Sequence, residues 1–280
     1  MLRIGCVKYL NARPLIRGWQ GDVDLDDPSA LCQRLATGEL DLALVSSFEF
    51  LRNPIYLIVD DVSISSDGPV YSVVVAHRGE ISDIEEIELD PASETSANLL
   101  RCLLPELGIN PRLARRGTSV SPGVAESDPG RRAQLLIGDQ AIRFRQEHAN
   151  EFSFWDLGEQ WMKLFNVPFV YALWLARPEI IDLKQIADRL RALRDENFVN
   201  LDDLIAEAVA EVGLSRHNLK AKADDRSHRK GLNREFFLRY YCEHLRFGFG
   251  EMEKEGLRTF AKLCTTHNLV PKRDLAFSIV

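Results

Sequence analysis

The chain has 280 residues, 45% of them hydrophobic and 28% charged, and carries a formal net charge of −7 at pH 7. That length can bury a substantial core in one large domain or two small ones, and the composition is that of a soluble globular protein. Both signs of charge are spread along the chain, so no basic field argues for nucleic acid or an anionic membrane, and neither is expected as a partner.

The first residues, Met1-Leu2-Arg3-Ile4-Gly5, begin a strand and not a charged segment followed by a long apolar stretch. No later run approaches membrane-spanning length, so a cytoplasmic chain is expected. Cys6, Cys32, Cys102, Cys242 and Cys264 are odd in number and widely spaced, which suits reduced thiols better than disulfides. No Cys/His spacing resembles a metal site and no Gly-rich nucleotide loop is present, so neither metal nor cofactor is expected.

In chain order, the apolar run Leu2, Ile4, Cys6, Val7 predicts a buried strand, broken by Tyr9-Leu10-Asn11-Ala12-Arg13-Pro14. Pro14 fits the first turn of a helix over 15–19. A strand that ends in a polar corner and enters a helix puts side chains at the carboxyl edge of a sheet, where open α/β folds bind ligands. Asn11 is the side chain aimed into that crevice.

A short strand over 23–25 and a helix opened by Asp27-Pro28 and stopped near Gly38 follow. The strand–corner–helix pattern then recurs three times. Leu42 to Val45 meets Ser46-Ser47, Ile87 to Leu89 runs into Ser93-Glu94-Thr95-Ser96, and Leu135 to Ile137 meets Gly138-Asp139. Capping chemistry explains any one corner, but four of them point to a shared ligand crevice. In the third, hydroxyls cluster where the first backbone N–H groups of a helix lie free, a setting that suits a carboxylate.

Between these corners a strand is expected over 55–59, then a turn at Asp67-Gly68-Pro69 and a β-branched strand containing Ser72. Ser72 taken alone fits a satisfied strand serine and a ligand contact equally. Arg112, Arg115 and Arg116 mark a solvated strand or loop, and 122–130 reads as a surface loop. Two long apolar strands, one ending near His77 and the other near Arg177, bracket the middle of the chain as paired connections between two lobes. Beyond Pro178 the period turns helical over 183–193 and 204–212. A polar connection over 220–230 leads to two more helices, around 235–245 and 251–263. The aromatic residues Phe236, Phe237, Tyr240 and Tyr241 read as helix-packing core.

These landmarks resemble the chorismate dehydratase family of the futalosine route to menaquinone. The matching stretches are Tyr9 to Leu15, Gly38 to Ala43, Ser66 to Val73 and Ser93 to Ser96, then Leu136 to Asp139, Asp156 to Gly158 with Trp161, Pro168 to Trp174 and Leu245 to Gly248. Their order and spacing hold to about Gly250. Glu94 stands where the family has arginine, Lys8 where it has a neutral residue, and Phe165 to Phe169 departs from its Thr-Gly-Leu-Pro-Phe.

The resemblance implies an α/β, two-lobed periplasmic binding protein-like (type II) fold with the ligand cleft between lobes. Residues 1–77 plus 173–280 would form one lobe and 78–172 the other. It further implies a cofactor-independent hydro-lyase that converts chorismate to 3-[(1-carboxyvinyl)oxy]benzoate, with Asn11 and Ser72 as the main site residues. For this small anionic substrate, Ser93, Thr95, Ser96 and their helix N-terminus are expected to hold the ring carboxylate, with Lys8 or Arg13 on the other. Ser46, Gly138 and Asp139 complete the expected substrate-binding set. A non-catalytic binder of aromatic carboxylates and the sister 1,4-dihydroxy-6-naphthoate synthase, which uses a histidine base, are the competing readings.

Overall fold

Continuous apolar runs make strands that are buried on both faces, and the computed structural model, which describes residues 2–115, 129–218 and 232–280, distributes them over two five-stranded sheets. The first contains β1 (Ile4–Val7), β2 (Val23–Asp26), β3 (Leu42–Ser46), β4 (Leu57–Ser66) and β10 (Phe169–Ala176), in the order β2-β1-β3-β10-β4. The second contains β5 (Val73–His77), β6 (Glu86–Leu89), β7 (Arg112–Arg115), β8 (Arg132–Ile137) and β9 (Ser153–Asp156), in the order β7-β6-β8-β5-β9. In each sheet three strands run parallel, and the fourth position is taken by an antiparallel strand, β10 or β5.

The two sheets therefore share one plan. The chain leaves the first between Ser66 and Val73 and returns between Asp156 and Phe169. The expected lobe division at 77/78 and 172/173 differs from this changeover at both ends. β5 pairs in the second sheet and β10 belongs to the first from Phe169 onward. Nor do β5 and β10 pair as a double connection; an unbroken apolar run does not declare which sheet it joins.

Helices follow the strands: α1 (Arg13–Ile16), α2 (Pro28–Ala36), α3 (Ser47–Arg52), α4 (Thr95–Glu106), α5 (Gly138–Glu147) and α6 (Leu157–Phe165). Then come α7 (Leu183–Val199), α8 (Leu201–Asn218), α9 (Arg234–Arg239) with a π turn over Tyr240–His244, and α10 (Glu251–Thr266). All four strand-to-helix corners are present. α1 is shorter than expected because Arg17 leaves the helical region and Gly18 takes φ +87°. β4 is longer, running on through Ser63, Ser65 and Ser66. Its serines are poor strand formers, but they pair with a later segment. Ser65 N–H donates to the Arg246 carbonyl at 3.0 Å, and the Ser63 hydroxyl donates to that of Gly248. The loop expected over 122–130 lies outside the described residues up to 128, as do Arg116 and the connection over 220–230.

α10 closes the core over the return crossing. Leu257, Phe260 and Cys264 are buried, and the Phe260 ring lies 5.0 Å from that of Phe169. Helix and strand approach so closely that a Cβ on Gly256 would stand 1.9 Å from the Pro168 carbonyl oxygen. Backbone cannot yield as a flexible side chain would, so Gly256→Ala is expected to cost about 2 kcal/mol or more of stability. A urea unfolding midpoint equal to that of the parent protein would contradict this packing.

Candidate active site

The four corners, two from each sheet, converge on one cavity. Asn11 comes from the turn after β1, Ser46 from the end of β3, Ser93 to Ser96 from the entry to α4 and Gly138 from the start of α5, and all of them line it. Ser72, Tyr9, Tyr171 and Leu245 complete much of the wall. Carboxyl ends of strands from two facing sheets make this a crevice between lobes, as the corners predict. Its volume is about 60 Å³, room for a few waters.

Two buried polar atoms in this wall make no hydrogen bond within the described protein, Asn11 Oδ1 and Ser93 Oγ. An unpaired buried group costs roughly 1–3 kcal/mol, so two in one cavity mark a surface built to pair with something else. Ser93 stands just ahead of α4, whose N-terminal N–H groups and dipole favour an anion there.

Thr95 has a different task. Its hydroxyl donates to the Tyr171 carbonyl at 3.0 Å and is within bonding distance of Ser46 Oγ. A hydroxyl has a single proton; with that proton on Tyr171, Thr95 can only accept from Ser46. Both side chains are thus spent on tying α4 to the first sheet. Both still line the cavity, where they were expected to meet the ligand, and here they also join the two lobes.

Asp139 is a second such link. It is partly buried, and its Oδ1 accepts the Leu10 N–H at 3.0 Å, joining α5 to the turn that carries Asn11. Burial pushes this carboxyl above its ordinary value, and the Leu10 N–H opposes the shift. Gly138 beside it holds φ +56°, and a Cβ there would lie 2.8 Å from the Tyr9 ring. Only glycine meets both demands.

Lys8 and Arg13, expected to meet a substrate carboxylate, are not among the residues that line the cavity. Lys8 Nζ lies 3.0 Å from Asp27 on an exposed surface, and Arg13 pairs with Glu211 of α8. Asp27 occupies the position that caps α2, but its carboxylate accepts from Lys8 and, at 3.2 Å, from the Tyr9 hydroxyl instead of from the helix. Among the described lining residues Glu94 alone carries a formal charge. Arg52 pairs with it at 2.9 Å, while the same guanidinium donates through Nε to the fully buried Glu49 at 3.1 Å, so one positive charge is shared between two carboxylates.

Ser72 lies one residue ahead of β5, not within it, and is held by its backbone on both sides. Its N–H donates to the Val70 carbonyl and its carbonyl accepts the Gly138 N–H, each at 2.8 Å. The residue before it, Tyr71, adopts φ +68°, a left-handed conformation rare for an aromatic residue. Asp156 holds it there. One carboxylate oxygen accepts the N–H groups of Val70, Gly158 and Glu159 at 3.0, 3.0 and 3.2 Å, and the other accepts that of Tyr71 at 2.8 Å. Burial pushes this carboxyl up while these N–H groups and Arg145 pull it down.

Sequence reasoning missed the tyrosines after α9. Tyr241 donates to the Leu10 carbonyl at 2.9 Å, beside Asn11, and Tyr240 donates to Ser72 Oγ at 2.8 Å. Both are buried, and an apolar helical period gives no sign that the phenols point at a site.

The comparisons with known proteins bear on the family and the fold. A family profile described as menaquinone biosynthesis matches residues 2–266. A chorismate dehydratase of Thermus thermophilus is 30% identical over 279 residues, covering 92% of this chain and 93% of that relative. Among solved structures, an Archaeoglobus fulgidus protein superposes with a TM-score of 0.62 at 18% identity, covering 96% of this chain and 98% of that one. The periplasmic aliphatic sulphonate binding protein SsuA of Escherichia coli superposes with a TM-score of 0.57 at 14% identity, covering 97% and 88%. These likenesses show the periplasmic binding protein fold.

Asp156→Asn keeps the shape of the clamp but turns an N–H₂ toward backbone N–H groups. The charge-assisted bonds are lost, and stability is expected to fall by about 3 kcal/mol, read as a shift of the denaturation midpoint. An unchanged midpoint would remove Asp156 from its place in the fold.

Proposed function

The chain belongs to the menaquinone biosynthesis family, and from that premise we propose that it is a chorismate dehydratase, a hydro-lyase that releases water and 3-[(1-carboxyvinyl)oxy]benzoate. The observation that carries this reading is the pair of unpartnered buried atoms, Asn11 Oδ1 and Ser93 Oγ, in one hydroxyl-lined cavity. An acceptor without a donor suits the substrate's ring hydroxyl, and a donor hydroxyl at a helix N-terminus suits its ring carboxylate.

In the reaction the ring C3–H and C4–O bonds break and a third ring double bond forms. The substrate's own side-chain carboxylate takes the C3 proton, which leaves with the departing hydroxide as water. Negative charge developing through the diene onto the ring carboxylate meets Ser93, Ser96 and the start of α4, which act as an oxyanion hole acts. Asn11 Oδ1 accepts from the ring hydroxyl, and Ser72 donates to the same oxygen as its bond to carbon lengthens. Aromatisation supplies the drive, so the proposed step balances without a cofactor.

Arg52 pairs with both Glu94 and Glu49, so it offsets only part of the negative charge beside the cavity. The competing naphthoate synthase reading needs a histidine base at the cavity. Its candidates engage elsewhere: His77 Nδ1 lies 3.1 Å from the Gly79 carbonyl and His148 Nδ1 3.2 Å from Glu151. No helix among the described residues is long and apolar enough to cross a membrane. The five free cysteines support a place in the reducing cytoplasm.

Incubating the purified protein with chorismate and following the benzoate product by chromatography tests the proposal. Asn11→Ala is expected to lower kcat by about 100-fold or more without a change in melting temperature. Tight chorismate binding with no product would identify a binder instead, and a fully active variant would remove Asn11 from the chemistry.

A further inference from the structure

Tyr240 opens the five-residue π turn, Tyr240–His244, that follows α9. Such turns interrupt the regular spacing of a helix and are frequent at functional sites. Here the turn sends two neighbouring phenols, both buried, to two different elements of the cavity wall. Tyr241 ties the turn that carries Asn11, and Tyr240 reaches Ser72 itself, with the phenol as donor at 2.8 Å.

The direction of that hydrogen bond decides what Ser72 has left to offer. Serine carries one proton and two lone pairs. With a lone pair taken by Tyr240, the serine's own proton is what remains for the cavity it lines. The Ser72 main chain is already fixed at both its N–H and its carbonyl, so rotation about the side-chain bond is its remaining freedom. Burial pushes the Tyr240 phenol well above its ordinary value, which keeps it a donor throughout the working pH range.

We propose that Tyr240 is a positioning residue for the dehydration: its phenol fixes the Ser72 hydroxyl so that the serine proton points at the oxygen that leaves. The proposal rests on the functional reading above. No proton is transferred by either residue, and Ser72 stabilises the departing oxygen through a hydrogen bond alone. The Tyr240 ring also packs, stacked 5.7 Å from that of Phe236, so the ring and the hydroxyl must be separated experimentally.

Tyr240→Phe in the full chain separates them, because it keeps the ring and removes only the donor. The expected result with chorismate is a fall in kcat of about tenfold, with KM within about twofold and a melting temperature lowered by a few degrees at most, from the loss of one buried hydrogen bond. An unchanged kcat, or a loss of kcat that comes with a much larger fall in melting temperature, overturns the proposal in favour of packing. Should the parent protein itself give no product, the functional reading fails separately. Crystal structures of the parent and of Tyr240→Phe then decide the positioning claim. A Ser72 hydroxyl turned from its place in the variant supports it, and an unmoved one refutes it.

Discussion

One carboxylate governs both passages between the lobes. Asp156 ends β9, the last strand of the second sheet, and caps α6, the helix on the way back to the first. The same group holds Val70 and Tyr71 in the outward passage. A buried carboxylate is costly unless its lone pairs are filled, and here four backbone N–H groups fill them. The outward and return crossings are thereby fixed to each other, so closely that a Cβ on Gly158 would lie 2.5 Å from the Gly68 carbonyl oxygen. Tyr71 keeps its unfavourable backbone conformation because the clamp over-determines it, aided by Arg145 at 4.2 Å over its ring. The position of Ser72 follows from that.

Around the cavity several polar contacts join the lobes, beside an apolar core that is continuous through both. Thr95 with Ser46 and Tyr171, Asp139 with the Leu10 N–H, and Glu94 with Arg52 each join one lobe to the other. Polar contacts of this kind exchange for water at small net cost, whereas parting an apolar seam would expose surface at about 25 cal/mol per Å². The aromatic packing of Phe169, Trp161 and Phe260 lies behind the crossing instead.

Much of this was legible in the sequence. Buried strands announce themselves as continuous apolar runs, and the four polar corners after them located Asn11, Ser46, Ser93 and Gly138 at one crevice. What the sequence withheld was direction and partnership. Lys8 and Arg13 have the charge a dianion wants, but Asp27 and Glu211, far apart along the chain, claim them first. Thr95 looks like a ligand donor until its proton is traced to Tyr171. Tyr240 and Tyr241 sit in an apolar period whose packing role masks their hydroxyls, and the π turn that aims them leaves no mark in the pattern. The sheet membership of β5 was equally hidden, because strand composition records burial and not neighbours.

The strand order carries a consequence for how the molecule is made. β10 lies between β3 and β4, yet it is synthesised about a hundred residues after them. The five strands of the second sheet are contiguous along the chain and complete once β9 has emerged. During synthesis the inner lobe can therefore assemble while the outer one still holds a gap between two finished strands. Closing that gap is a late, long-range event, the kind that slows folding and leaves strand edges open to misassociation.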